Sequence, residues 1–199
     1  GVLDSFTLEV YWGDSLAPEI FEFPSGTDVF SLSHQYLDDG LSANSSDDYT
    51  VKARLFDDDN LVISSDQTTT VTVSNLAPTI TIMSFVDEIY NENETATIIG
   101  LIADVGTLDT HAVSIDWGDG TTSAATVDSA LRIFTATHIY ADDNPTTASD
   151  KYTVTATATD DDTGMDKVST TVKISNVAPN VALDAVVAIV ENGFATLSG

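Results

Sequence analysis

Four clusters of aspartate recur at matching places along this chain, and they carry most of its capacity for chemistry. Asp57, Asp58 and Asp59 form one run and Asp160, Asp161 and Asp162 its counterpart, while Asp38 with Asp39 is echoed by Asp142 with Asp143. Carboxylates packed together at turns repel one another unless a cation joins them or water and salt screen them. Calcium suits such a set, because it takes about six to eight oxygens in flexible geometry from carboxylates, amide side chains and backbone carbonyls. Zinc would ask for nitrogen or sulfur ligands that the clusters lack. Asn75 and Asn176, each in a short S-N-[LV]-A-P stretch, complete the candidate metal ligands. The spacing is not that of an EF-hand, since no D-x-D-x-D-G is followed by a distal Glu. A second reading, an acidic surface that keeps the protein soluble even in high salt, stays open beside it.

The other chemistry-bearing residues have structural expectations. His34 and His138 each stand two residues before a tyrosine and recur in step with a Gly-Asp turn. A hydrogen bond to that acidic turn is expected of them, rather than metal binding or proton transfer. Trp12 and Trp117 are expected to fill the core, and Tyr49 and Tyr152 to close it in the manner of a tyrosine corner. An enzyme would need a nucleophile with its base, or a carboxylate pair in an apolar pocket, and these acids lie in turns without such an enclosure. No catalytic residues are assigned, and the chain is read as a non-enzyme.

What must position these residues is a repeat. GVLDSFTLEVYWGD (1–14) matches GTLDTHAVSIDWGD (106–119), HQYLDD (34–39) matches HIYADD (138–143), and DDYTVKARLFDDD (47–59) matches DKYTVTATATDDD (150–162). TVTVSNLAP (70–78) matches TVKISNVAP (171–179), and NENETATIIG (91–100) returns as VENGFATLSG (190–199). The offset drifts from 105 at the tryptophans to 101 at the asparagines, as small loop deletions produce. The chain is therefore a tandem array whose period is one small domain.

Within the period the pattern alternates every second residue, as in Val113, Ile115 and Trp117 or Tyr152, Val154, Ala156 and Ala158. That alternation predicts strands with one buried face, and the Asp- and Gly-rich turns between them predict a seven-stranded sandwich. For the complete copy the expected strands are A near 79–85, B near 95–105, C near 112–117, E near 133–140, F near 152–159 and G near 168–175, with D unplaced. The fold class is all-β, and no helix of ten residues is expected. Three segments follow: 1–77, a repeat without its first two strands (C to G); 78–178, complete; and 179–199, the first two strands (A and B) of a third.

A sandwich without strand B cannot close its core, so the missing pair is expected from elsewhere. Either the segment is a window on a longer array, or the tail of one molecule completes the head of the next and generates open filaments. Stacking would bring Asp38 and Asp39 of one copy towards Asp160–Asp162 of the next, with the 74–78 linker between them. Bound calcium would then stiffen adjacent repeats into a rod.

Composition narrows the partners. The chain of 199 residues carries 32 Asp and Glu against six Lys and Arg, a net charge of -26, with mean hydropathy +0.06. Nucleic acid and anionic membrane surfaces are repelled by such a chain, and cations are attracted. The absence of cysteine excludes a disulfide framework and a thiolate metal site. No apolar run approaches the ~18–20 residues of a membrane span, and no signal peptide opens the sequence. Asn44 (N-S-S) and Asn93 (N-E-T) fit the short N-glycosylation pattern.

Both copies carry W-G-D, then H-x-Y, Y-T-V, an acidic turn and S-N-[LV]-A-P. This set resembles the PKD-type repeat, an immunoglobulin-like β-sandwich found in tandem in microbial surface-layer proteins and giant adhesins and as a spacer in secreted hydrolases. DWGDGT (116–121) is its most specific part, and the first copy departs from it as YWGDSLAP. The resemblance implies an extracellular or cell-surface location and a structural or binding role without enzyme activity. The expected function is a structural repeat of a surface layer (S-layer), filament or adhesin stalk, its partners copies of itself, neighbouring repeats and divalent cations. The alternative is a spacer or binding module of a secreted hydrolase or adhesin that contacts carbohydrate or protein. That reading needs an exposed aromatic row, for which Tyr11, Phe21, Phe23 and Phe30 are the candidates.

Overall fold

The computed structural model describes residues 4–40, 42–58, 66–142 and 147–199. Among them every regular element is a strand, and no helix is long and apolar enough to cross a membrane. The strands are β1 (Phe6–Tyr11), β2 (Glu19–Phe23), β3 (Ser46–Asp57) and β4 (Gln67–Ser74) in the first module. The second holds β5 (Thr79–Phe85), β6 (Ile89–Asn91), β7 (Thr95–Ala103), β8 (His111–Asp116), β9 (Thr122–Ala124), β10 (Thr126–Asp128), β11 (Ile133–Ile139), β12 (Ser149–Asp160) and β13 (Met165–Ser175).

The second module is a two-sheet sandwich. One sheet runs β10-β11-β7-β5 and the other β6-β13-β12-β8-β9. In immunoglobulin lettering these are D-E-B-A and A′-G-F-C-C′, so the strands expected from the alternation all stand in place. Strands D (β10), β6 and β9 are three residues each, too short to show a period in the sequence. β6 lies parallel to β13, pairing Ile89 with Lys173 and Asn91 with Ser175. Alternate residues of both sheets face inward, and Ile98, Ile115, Trp117, Phe134, Val154 and Ile174 are sealed in the core. Burial of this kind contributes roughly 1.5–3 kcal/mol per large side chain.

The W-G-D turns show why the motif has its composition. Gly118 has φ +81°, and a Cβ there would come within 2.4 Å of the Thr153 carbonyl oxygen of β12. Only glycine tolerates both the left-handed backbone and the close approach. Asp119 then folds back, its Oδ1 accepting from the Thr121 amide at 2.9 Å and its Oδ2 bonded to His138 Nε2 at 2.8 Å. His34 bonds Asp14 in the same way at 2.7 Å. The rings behind each turn stack alike: Trp12 on His34 and Trp117 on His138, with centroids 4.8 Å apart in both. Tyr49 donates to the Asp38 carbonyl at 3.3 Å and Tyr152 to the Asp142 carbonyl at 3.2 Å, the tyrosine-corner contact.

The first module has a single sheet, β2-β1-β3-β4, and no strand among the described residues lies opposite it. Its buried cluster is small: Leu8, Val10 and Val51, with Trp12, Phe21, Phe23 and Leu32 half-buried around them. Between β2 and β3 the described residues of 24–45 form no strand. Strand E of the second module, β11, is held by β7 along its whole length, and the first module has no counterpart of β7 to hold the 30–36 stretch. The A and B strands expected over 179–199 are likewise not formed as strands. The segment keeps the local turn, with Asn192 at φ 67° as Asn93 is at 65°. A backbone bond from Asp184 N to Ser198 O at 2.8 Å ties its arms. Without a sheet to pair with, its apolar residues from Val181 to Leu197 stay exposed.

Candidate metal centre at the module junction

The junction is built by three loops and a linker. The loop after residue 36 of the first module presents Asp38 and Asp39. The turn between β12 and β13 presents Asp160, Asp161 and Asp162, and the connection from β7 to β8 presents Asp104 and Asp109. The linker from Asn75 to Pro78 crosses this turn closely enough that a Cβ on Gly164 would meet Ala77 Cα at 2.8 Å. The Thr107 amide donates to the Leu37 carbonyl at 3.1 Å, joining the two modules directly.

Three sets of carboxylates converge there: Asp38, Asp39 and Asp162; Asp104, Asp109 and Asp160; and Asp109, Asp161 and Asp162. In each set the facing atoms lie within 4.8 Å of one another. Two unit charges at that separation repel by on the order of 3 kcal/mol at an effective dielectric constant near 20. Part of the set is fixed by hydrogen bonds. Asp160 Oδ1 accepts from the amides of Asp162 and Gly164, and its Oδ2 accepts from Asn75 Nδ2 at 2.8 Å. Asp161 Oδ1 accepts from the Thr110 amide, and Asp38 Oδ1 from the Gly40 amide. Asp104 bonds His111 Nε2 at 2.7 Å and the Gly106 amide at 3.1 Å.

Two oxygens are left over. Asp39 Oδ2 and Asp109 Oδ2 are buried with no hydrogen-bond partner among the described residues. Asp39 and Asp162 are each 3% exposed and Asp109 is 9% exposed. Burial, with the charges of Asp104 and Asp38 added, pushes the Asp109 carboxyl up to about 6. Burial and neighbouring Asp39 push Asp162 up to about 6 as well, and Asp39 is raised by burial. A buried carboxylate without a donor is costly, and a cation is the partner that relieves several at once.

The remaining candidates lie elsewhere. Asp57 closes β3 and Asp58 follows it at the far end of the first module, where Asp58 Oδ2 accepts from Ser5. Asp142 and Asn176 sit at the far end of the second module, with Asn176 donating its amide to the Ala148 carbonyl. Asp59 and Asp143 lie outside the described residues. Asn44 and Asn93 are both exposed. Asp104, Asp109 and His111 were not singled out by sequence. The signal was faint: GVLD and GTLD repeat their aspartate, Asp4 and Asp109, but a lone acid in a loop has no cluster to mark it.

The topology defines an immunoglobulin-like β-sandwich, complete in the second module and half-built in the first. No family model matches the chain, and no curated protein matches it. Among solved structures, it is similar to the PKD domain of M14-like peptidase from Thermoplasmatales archaeon SCGC AB-540-F20, at 19% identity and TM-score 0.41 over 51% of this chain and 99% of that one. It is also similar to mouse clustered PcdhgC3 EC1-3, at 13% identity and TM-score 0.28 over 87% of this chain and 53% of that one.

Proposed function

We propose that the chain is a structural segment of an extracellular assembly, a run of immunoglobulin-like repeats whose junction is stiffened by calcium. The observation that carries this is the pair of buried, unpartnered oxygens on Asp39 and Asp109, one from each module, inside a nest of carboxylates. Asp38, Asp39 and Asp162 join the modules across the linker, so a cation on them restrains bending and twisting between repeats. All donors are oxygens, which favours a hard divalent ion, and the number of carboxylates gathered there suits calcium, which takes about six to eight oxygens, over magnesium. The assembly proposed is a surface layer, a filament or an adhesin stalk.

The open face of the β2-β1-β3-β4 sheet fits the same reading. In the second module the matching face is covered by β5 and β7, and residues 179–199 repeat that segment in sequence and in its turn. The occupant proposed for the open face is therefore an A–B strand pair of a neighbouring repeat. The reading assigns the chain no catalytic step. A flat aromatic platform for carbohydrate has little support, since Phe23 packs on Phe30 at 5.5 Å and Tyr11 lies under Lys52.

The test is calorimetric titration with calcium, beside melting and small-angle scattering with and without chelator. Calcium at 100-fold excess over Kd is expected to add about 2.7 kcal/mol of stability and to extend the particle. No heat of binding and an unchanged melting curve would sink the proposal.

A further inference from the structure

We infer that the junction holds two divalent cations in unlike positions: an inner ion on Asp104, Asp109 and Asp160, all from the second module, and an outer ion on Asp38, Asp39 and Asp162 that spans the two modules. The inference rests on the calcium-junction reading and adds to it a site that the linear acidic runs do not contain.

Each position has its own unsatisfied buried oxygen, Asp109 Oδ2 for the inner and Asp39 Oδ2 for the outer. A single ion among oxygens that fall into separate sets would leave one of them bare. The inner position is the better built. Asp104 is oriented by His111, whose side chain is nearly buried, and Asp160 is held by two amides and Asn75. Such outer contacts fix the direction of ligands before the ion arrives. Gly106 lies directly against Asp109, since a Cβ there would fall 2.1 Å from Asp109 Oδ2. Arg132 reaches the same loop through a 2.9 Å bond from its Nη2 to the Gly106 carbonyl, and its Nη1 is buried without a hydrogen-bond partner among the described residues. The third set, Asp109, Asp161 and Asp162, takes one residue from each position and so connects them.

The two positions have different consequences. The inner ion binds a single module and ties its β7–β8 connection to its β12–β13 turn. The outer ion requires the first module to be docked. Filling the inner position neutralises Asp109 and Asp160, and so reduces the charge against which Asp38 and Asp39 must approach.

The experiment is native mass spectrometry and calcium calorimetry on the whole chain and on Asp109→Asn, Asp39→Asn and the double variant. Two ions are expected in the parent, one in each single variant and none in the double. Asp104→Asn gives a second route to the inner position, and far-ultraviolet circular dichroism checks that β content is retained. In chelator Asp109→Asn should melt above the parent, because a buried charge is gone, whereas with calcium it should gain less than the parent does; a purely structural aspartate would lower both curves. One ion in the parent, abolished by either single variant, would mean a single shared site and overturn this inference while leaving the calcium junction standing. Two ions retained in Asp109→Asn and Asp104→Asn would also overturn it. No ion in the parent would remove both.

Discussion

Phe30 and Phe134 occupy the same place in two stretches of matching pattern, FSLSHQY and FTATHIY, yet Phe30 is 58% exposed and Phe134 is fully buried. The same contrast separates Leu197, 64% exposed, from its counterpart Ile98, which is sealed. The pattern of apolar and polar residues is kept between the members of each pair, and what differs is the partner strand. Phe134 lies on β11, paired residue for residue with β7 from Ile133↔Leu101 to Ile139↔Thr95. Phe30 has no such neighbour. In a sandwich the hydrophobic pattern states which face a strand wishes to bury, and only the second sheet lets it do so.

The largest test of this contrast is truncation. Phe134→Ala or Trp117→Ala should cost about 3–5 kcal/mol in denaturant unfolding, whereas Phe30→Ala should change stability by less than about 0.5 kcal/mol. Equal costs at Phe30 and Phe134 would break the comparison. Next, fusing a copy of residues 79–105 ahead of Gly1 should restore the missing strand pair. Hydrogen exchange is then expected to slow across 30–36, and Phe30→Ala in that fusion should cost about 2 kcal/mol or more.

A smaller difference lies at the indoles. Trp117 Nε1 donates to Ser123 Oγ at 2.9 Å, and the position facing Val10 as Ser123 faces Ile115 is held by Glu19. Ser123→Ala should therefore cost about 1–3 kcal/mol by leaving a buried donor unmet, while Glu19→Ala leaves Trp12 Nε1, already unpartnered among the described residues, as it was. The smallest effect is the pH response of His34. Burial acts to lower its pKa, but Asp14 and Glu19 outweigh this and raise it above 6.5. Its contribution is present in full below the unfolded value and is lost as pH rises through the higher folded value. Melting of the parent should fall slightly across that window, and His34→Gln should flatten the fall.

Strand placement in the second module was legible because alternation and turn residues agree over long segments; β5 was read to its last residue. The stacked Trp–His–Tyr sets were legible through the recurrence of W-G-D with H-x-Y. The approach of Asp38 and Asp39 to the 160–162 turn followed from which loops share an end of such a sandwich. Asp104 and Asp109 were not legible, because they sit five residues apart in a loop and gain their neighbours only when the β7–β8 connection meets the turn between β12 and β13. Residues 30–36 present the opposite case: their pattern is that of a strand, and pattern says nothing of whether a partner is present.

The parallel pairing of β6 with β13 bears on how the second module answers a pull. Tension entering along β6 and leaving along β13 draws the two strands past each other lengthwise. The bonds joining Ile89–Asn91 to Lys173–Ser175 then share the strain together instead of parting one after another. Those three residues must part together before a pull of that kind reaches the strands behind them.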